Sequence, residues 1–174
     1  MPELRRVPGA VLLLKGLPFG DASMRASYLA RFNERGVLPQ RITLVGPTPY
    51  EAYLTQYNEI DIALDPFPWN GHTTTCEALW MGVPVVTLRG DRHSGRIGAS
   101  LLTSVGLDDL IANNVEEYVD IAMRLAHDRS RLMHLRNSLR AQMGASLLCD
   151  GPRFARKIET AYRSMWRLWC DQGR

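Results

Sequence analysis

Ile60-Asp61-Ile62-Ala63-Leu64-Asp65, then Asn70-Gly71-His72-Thr73-Thr74-Thr75-Cys76-Glu77-Ala78-Leu79-Trp80-Met81, then Gly82-Val83-Pro84-Val85-Val86-Thr87-Leu88 is the stretch on which the fold turns. An apolar run that ends in an aspartate reads as a strand, and small hydrogen-bonding residues then make a turn. A helical pattern over residues 74–81 stops at Gly82, and residues 84–88 read as a second strand. Strand, helix, strand with short connections is the parallel βαβ arrangement. The helix begins where the turn ends, so about four backbone N–H groups there lack intrahelical partners and carry partial positive charge. Such an end attracts anions, phosphate above all. Thr73, Thr74 and Thr75 add hydroxyls to it, and Glu77 stands one turn further in, within reach of a ribose diol.

Outward from this unit, strand and helix keep alternating. Residues 10–14 are a continuous apolar run, as a strand covered on both faces requires. Asp21 or Ser23 can cap a helix that runs to about Arg35 and stops at Gly36. Residues 41–45 are a strand closed by Gly46-Pro47, residues 49–58 a short helix, and residues 61–64 a strand. A glycine-rich loop at 90–95 leads into a helix at about 96–105, and residues 107–112 include a short fifth strand. From Val115 the chain is helical. Three apolar faces follow, around Val119, around Leu135 and along Phe154, Ile158, Ala161, Met165 and Trp169, with breaks at Gly144 and at Asp150-Gly151-Pro152. The fold class is therefore α/β, a Rossmann-like parallel sheet with helices on both faces. Ligands of such sheets bind at the carboxyl ends of the strands. The loops at 46–49, 66–73 and 90–95 would together form a phosphate or nucleotide cleft.

Composition narrows the function. The 174 residues are 45% apolar, enough for one ordinary core. The longest apolar run, residues 10–14, is too short for a membrane span, and residues 1–6 lack a leader's apolar stretch, so no membrane and a cytoplasmic setting are expected. Cys76, Cys149 and Cys170 are odd in number and widely spaced, which indicates neither a zinc site nor a disulfide framework. The net charge is +3, and arginine far outnumbers lysine. The arginines of the last third alternate with acids and apolar residues, so they read as solvated helix faces and not as a nucleic-acid patch.

The same residues carry a resemblance. The runs 61–66, 70–74 and 78–88, with Arg96-Ile97-Gly98-Ala99-Ser100-Leu101-Leu102, residues 106–112 and Tyr162-Arg163-Ser164-Met165-Trp166, resemble the C-terminal catalytic half of protein O-GlcNAc transferases, glycosyltransferase family 41, which includes the SPINDLY-type enzymes. The resemblance covers the chain from about Arg5 to Trp169. It implies the C-terminal half of a GT-B glycosyltransferase, with residues 5–112 as the Rossmann-like nucleotide-binding part and residues 113–174 as C-terminal helices. It implies a UDP-N-acetylglucosamine (UDP-GlcNAc) donor, a Ser or Thr acceptor on a protein or peptide, inversion at the anomeric carbon, and no cofactor or metal. Carried over residue by residue, Gly71, His72, Thr73 and Thr74 hold the diphosphate, Glu77 contacts the ribose, and the Tyr53 ring stacks on uracil. The family's animal members have basic residues where this chain has Tyr50 and Gln56. No catalytic residue is expected within the chain.

Each of these residues has a plainer reading. The threonines cap helices anyway, Glu77 complements a helix dipole, and an aromatic such as Tyr53 is usually packing. Asp65 caps its loop, Arg92, His93 and Arg96 are solvated charges, His127 and His134 lie on helix surfaces, and Trp80 and Met81 belong to the core by spacing. With GT-B strand order 3-2-1-4-5-6, residues 10–14 are the second strand, and the first strand with its phosphate-binding lysine precedes Met1. The isolated chain is then expected either to close its sheet without that strand or to carry an open gap between the strands at Leu12 and Ala63, and unpaired strand edges favour aggregation. The isolated chain is expected to bind donor weakly and to transfer nothing. The apolar face of the last helix, with Trp166 and Trp169, is expected to be partly uncovered. A different donor or acceptor, or a remnant serving only as an interaction module, are the competing readings.

Overall fold

The structure, a computed structural model, describes residues 7–173. The reading of residues 1–6 falls outside them. Among the described residues five short strands and seven helices follow one another: β1 (Leu12–Lys15), α1 (Ala22–Glu34), β2 (Ile42–Val45), α2 (Tyr50–Gln56), β3 (Ala63–Leu64), α3 (Thr73–Trp80), β4 (Val85–Leu88), α4 (Ile97–Val105), β5 (Ile111–Ala112), α5 (Val115–His127), α6 (Arg129–Gly144) and α7 (Gly151–Asp171). Tight 3-10 turns fill several connections, among them Tyr57–Glu59 after α2 and Asp108–Leu110 before β5.

All pairing is parallel. β1 lies against β2 with Leu12 opposite Ile42 and Lys15 opposite Val45. β4 is central to the second group, with β3 on one side (Ala63 opposite Val85) and β5 on the other (Thr87 opposite Ile111). The order is β2-β1, then β3-β4-β5, and among the described residues no hydrogen-bonded pairing joins the two groups. Of the two expected outcomes, the sheet does not close: the strands at Leu12 and Ala63 are not ladder partners.

The core gathers around β4. Val83 and Val86 are fully buried, and so are Leu79 of α3, Leu102 of α4 and Leu139 of α6. Val85, Ile111, Ile121, Leu125 and Leu135 complete the same cluster. Close packing of this kind buries both faces of β4, which is why its sequence is apolar except for Thr87, whose buried hydroxyl donates to Asp65. Gly36 and Gly82, the expected helix stops, both take left-handed backbone, at φ 70 and 79. At Gly82 a side chain would meet the Arg136 carbonyl oxygen at 2.6 Å. Arg136 reaches from α6 to the carbonyls of Tyr57, Met81 and Ile60, tying α6 to the end of α3 and to the turn before β3.

Two core assignments change. Trp80 is 42% exposed, because its ring faces the Arg140 guanidinium at 5.2 Å while that side chain also donates to the Trp80 carbonyl at 2.9 Å. Met81 is half-buried at the same edge. The apolar face of α7 is largely uncovered, as expected of it: Phe154, Met165, Trp166 and Trp169 are each more than half exposed, while Ile158 is 37% exposed and Ala161 partly buried.

Candidate functional site

The loop from β3 to α3 is shaped from beneath by two buried polar residues. Asp65 ends β3 and accepts from the Gly71 N–H at 2.7 Å and from the Thr87 hydroxyl at 2.6 Å. Its carbonyl accepts from the Tyr118 hydroxyl at 3.0 Å. Burial holds the Asp65 carboxyl above the usual carboxylate range, while the Thr87 and Gly71 donors pull the other way. Asn70 accepts from the Gly98 N–H and donates to the Pro66 carbonyl. Gly98 is obligatory at that contact, since a Cβ would lie 2.3 Å from both the Asp65 carboxylate and the Thr87 hydroxyl. Asp65 therefore works as the loop's internal cap, the plainer of its two readings.

This loop delivers the start of α3. His72 is the N-cap residue, with its side chain exposed and making no capping bond. Gly71 lets the first turn close down: a Cβ there would meet the Thr74 hydroxyl at 2.5 Å and the Thr75 hydroxyl at 2.8 Å. Thr75 is buried, whereas Thr73 and Thr74 face solvent. The N–H groups of this first turn have no intrahelical acceptor.

A cleft of about 660 Å³ opens beside that turn. Thr73, Thr74 and Glu77 of α3 form one wall. Lys15, Gly16 and Leu17 after β1, with Gly46, Pro47 and Thr48 after β2, form the other, and Tyr50, Tyr53 and Tyr57 form the floor between them. The three tyrosines recur at helical spacing, so they share a face. The Tyr50 hydroxyl donates to one Glu77 carboxylate oxygen at 3.1 Å, and the Tyr53 hydroxyl donates to the other at 2.7 Å. The Tyr53 and Tyr57 hydroxyls are 2.7 Å apart. Burial, and then these contacts, hold the Tyr53 phenol far above the ordinary tyrosine range, so it remains a donor at any working pH.

Lys15 is the cation of the cleft. Its ammonium donates to the Gly46 carbonyl at 3.2 Å, to the Thr48 hydroxyl at 2.8 Å and to the Gln56 side-chain oxygen at 2.8 Å, and it sits 5.7 Å from the Tyr53 ring centroid. All three acceptors are neutral, so its charge faces the cleft uncompensated by them. A helix N-terminus on one wall and an ammonium on the other make the cleft attractive to an anion, and the Glu77 carboxylate suits a pair of hydroxyls.

Of the residues read from sequence, Thr73, Thr74, Glu77 and Tyr53 converge on this cleft. Gly71 and His72 adjoin it without lining it. The loop at 90–95 does not contribute: Gly90 and Gly95 pack on each other, and Ser94 accepts the Asn70 N–H at 2.9 Å, so the loop buttresses the β3–α3 turn from behind. The loop after β1 takes its place. Lys15 was the residue to notice there, as one of very few lysines and at the carboxyl end of a strand. Among the described residues no group of three or more His, Cys, Asp or Glu is placed to hold a metal, and no helix is long and apolar enough to cross a membrane.

Parallel strands, flanking helices and an anion-attracting cleft at the strands' carboxyl ends define an α/β domain of the Rossmann type. Comparison with known proteins is more specific. Residues 1–158 match the model of glycosyl transferase family 41, and the chain belongs to that family. It is 46% identical over 166 residues to a Petunia hybrida protein described as a probable UDP-N-acetylglucosamine–peptide N-acetylglucosaminyltransferase SPINDLY, covering 95% of this chain and 18% of that one. A rice protein of the same description is 46% identical over 167 residues, and an Arabidopsis thaliana relative of SEC type is 33% identical over 169. A solved structure of a mutant O-GlcNAc transferase from Thermobaculum terrenum superposes with a TM-score of 0.92 at 40% identity, covering 99% of this chain and 33% of that one. The GT-B type of α/β fold expected from the resemblance is thus shown. The chain spans about a fifth of the length of its plant relatives.

Proposed function

We propose that this chain is the donor-binding part of an inverting protein O-GlcNAc transferase, with UDP-GlcNAc in the cleft between Lys15 and the start of α3. The diphosphate lies at Thr73 and Thr74 and the first N–H groups of α3, with Gly71 and His72 shaping that turn. Glu77 takes the ribose hydroxyls, and uracil lies against the Tyr53 ring. The convergence of the α3 N-terminus, the Glu77 carboxylate and an aromatic floor on one cleft carries this reading. The relatives' descriptions as peptide N-acetylglucosaminyltransferases support it.

On this reading the chain serves the leaving group. Cleavage of the sugar–phosphate bond places negative charge on UDP, and preorganised N–H and hydroxyl donors stabilise it as it forms. A donor of this kind typically lowers such a barrier by about 2.7–4 kcal/mol. No metal is part of the proposal, and the base that deprotonates the Ser or Thr acceptor is not assigned to this chain.

The test is equilibrium binding to the 174-residue chain. UDP is expected to bind at least tenfold more tightly than uridine, a difference of about 1.4 kcal/mol or more. Thr73→Val with Thr74→Val removes most of that preference, and chelator leaves binding unchanged. Equal affinity for UDP and uridine, or a preference untouched by the double substitution, overturns the reading. UDP-glucose and GDP-fucose in the same titration separate donors that share the fold.

A further inference from the structure

Glu77 is not a free carboxylate, and the way it is held has a consequence for recognition. Each of its two oxygens already accepts one phenolic hydrogen bond, Oε1 from Tyr50 and Oε2 from Tyr53. An ionised carboxylate offers about four lone-pair sites. Two remain, one on each oxygen. The rack beneath is directional. The Tyr53 hydroxyl has one hydrogen and places it on Glu77, so any donor across the 2.7 Å Tyr53–Tyr57 contact is Tyr57, whose one hydrogen has the Tyr53 oxygen at 2.7 Å and the Thr74 carbonyl at 3.3 Å as acceptors and is drawn to the nearer. A phenol that itself accepts a hydrogen bond donates more strongly. The rings are locked as well, Tyr53 meeting Tyr57 edge-on with centroids 5.4 Å apart.

We infer that Tyr53, backed by Tyr57, is a positioning residue that fixes the Glu77 carboxylate with one free lone pair on each oxygen turned to the cleft, making it a two-point acceptor for a vicinal diol. The specificity so built is for ribose over sugars lacking the 2′ and 3′ hydroxyls. Tyr50 adds a second, more exposed tether at 3.1 Å. This inference rests on the nucleotide reading of the cleft. It assigns the Tyr53 hydroxyl a role separate from any stacking by its ring.

Tyr53→Phe separates the two roles, because it keeps the ring and deletes only the hydroxyl. The measurement is calorimetric binding of UDP and of 2′,3′-dideoxy-UDP to the full chain, with circular dichroism to verify folding. The wild-type protein is expected to prefer UDP by tenfold or more, about 1.4 kcal/mol. Glu77→Gln abolishes the preference. Tyr53→Phe lowers UDP affinity about fivefold and leaves dideoxy-UDP affinity within about twofold, on the scale of one ordinary hydrogen bond. A structural role for Tyr53 would weaken both ligands equally, and that result overturns the inference. So does a Tyr53→Phe protein that keeps the full ribose preference while Glu77→Gln loses it, an outcome that leaves the nucleotide reading standing. Wild-type protein that binds no UDP removes both. Should Tyr53→Phe unfold, Tyr50→Phe is measured instead: a loss of about threefold confined to UDP supports the rack, and an unchanged preference overturns it.

Discussion

At the scale of single residues, the site depends on side chains whose work is to place others. Asp65 is the clearest case. It touches no part of the cleft, yet its two carboxylate oxygens hold the Gly71 N–H and the Thr87 hydroxyl, and those bonds set the turn that starts α3. Burial raises its pKa above the ordinary value. The folded state therefore binds that proton more tightly than the unfolded chain does. The associated stability is fully present below the unfolded pKa, about 3.9, and is lost as pH rises through the higher folded value. Asp65→Asn does not titrate. The urea midpoint of the wild-type protein relative to Asp65→Asn is accordingly expected to fall as pH is raised from about 4 toward about 7. A difference that instead grows with pH would mean that the Gly71 and Thr87 donors outweigh desolvation. Asp65 was readable as a loop cap from its place after a strand. The tyrosine rack was not readable, because Tyr50 and Tyr53 meet Glu77 across more than twenty intervening residues and only the fold brings them together.

At the scale of elements, the helices divide into those that build the core and one that does not. Along α6, Leu135, Leu139 and Met143 are buried at helical spacing, and Leu139 is completely inaccessible. Removing its side chain leaves a cavity in the core cluster, and Leu139→Ala is expected to cost about 2–5 kcal/mol by urea denaturation. α7 has a stronger apolar stripe in its sequence and no buried residue. Its Trp166 and Trp169 rings stack on each other with centroids 5.1 Å apart. A helix without tertiary packing adds little to the stability of what precedes it. Truncation after Asp150 is expected to leave the thermal midpoint within about 2 °C, less than the shift that about 1 kcal/mol produces at this size. A large drop on truncation would show that α7 packs on the core in solution. Periodicity revealed both helices and their faces. It could not say which face is covered, because an apolar stripe records that burial is favourable and not what supplies it.

At the scale of the whole molecule, the alternation of strands and helices and the parallel pairing were legible, since buried parallel strands read as largely apolar runs and glycines mark the helix stops, while the strand order was implied by the resemblance. The break between β1 and β3 followed from strand order rather than from any residue. Lys15 carried a signal, its rarity and its place at a strand's carboxyl end, but only the fold shows that this end faces the cleft. The break has a dynamic consequence. The main core draws its buried residues from the stretch around β4, while Phe19, Val37 and Ile42 form the few buried positions of the β1–β2 side. Among the described residues no ladder joins the two groups, and side chains of α2 link them, Gln56 to Lys15 at 2.8 Å and Tyr53 to Glu77 at 2.7 Å. Regions with few buried contacts open at lower free energy. Amides of Leu12–Lys15 and Ile42–Val45 are therefore expected to exchange with solvent faster than those of Val85–Leu88. A nucleotide in the cleft would touch both groups, Lys15 and Gly46 on one side and Thr73 and Glu77 on the other. Its binding free energy then adds to the cohesion between them. At a UDP concentration one hundred times its Kd, the stabilisation is about 2.7 kcal/mol. Hydrogen exchange with and without UDP should show protection rising most in β1 and β2, the side with least of its own. Protection confined to α3, with β1 and β2 unchanged, would mean that the ligand sits on the helix N-terminus alone and does not bridge the cleft.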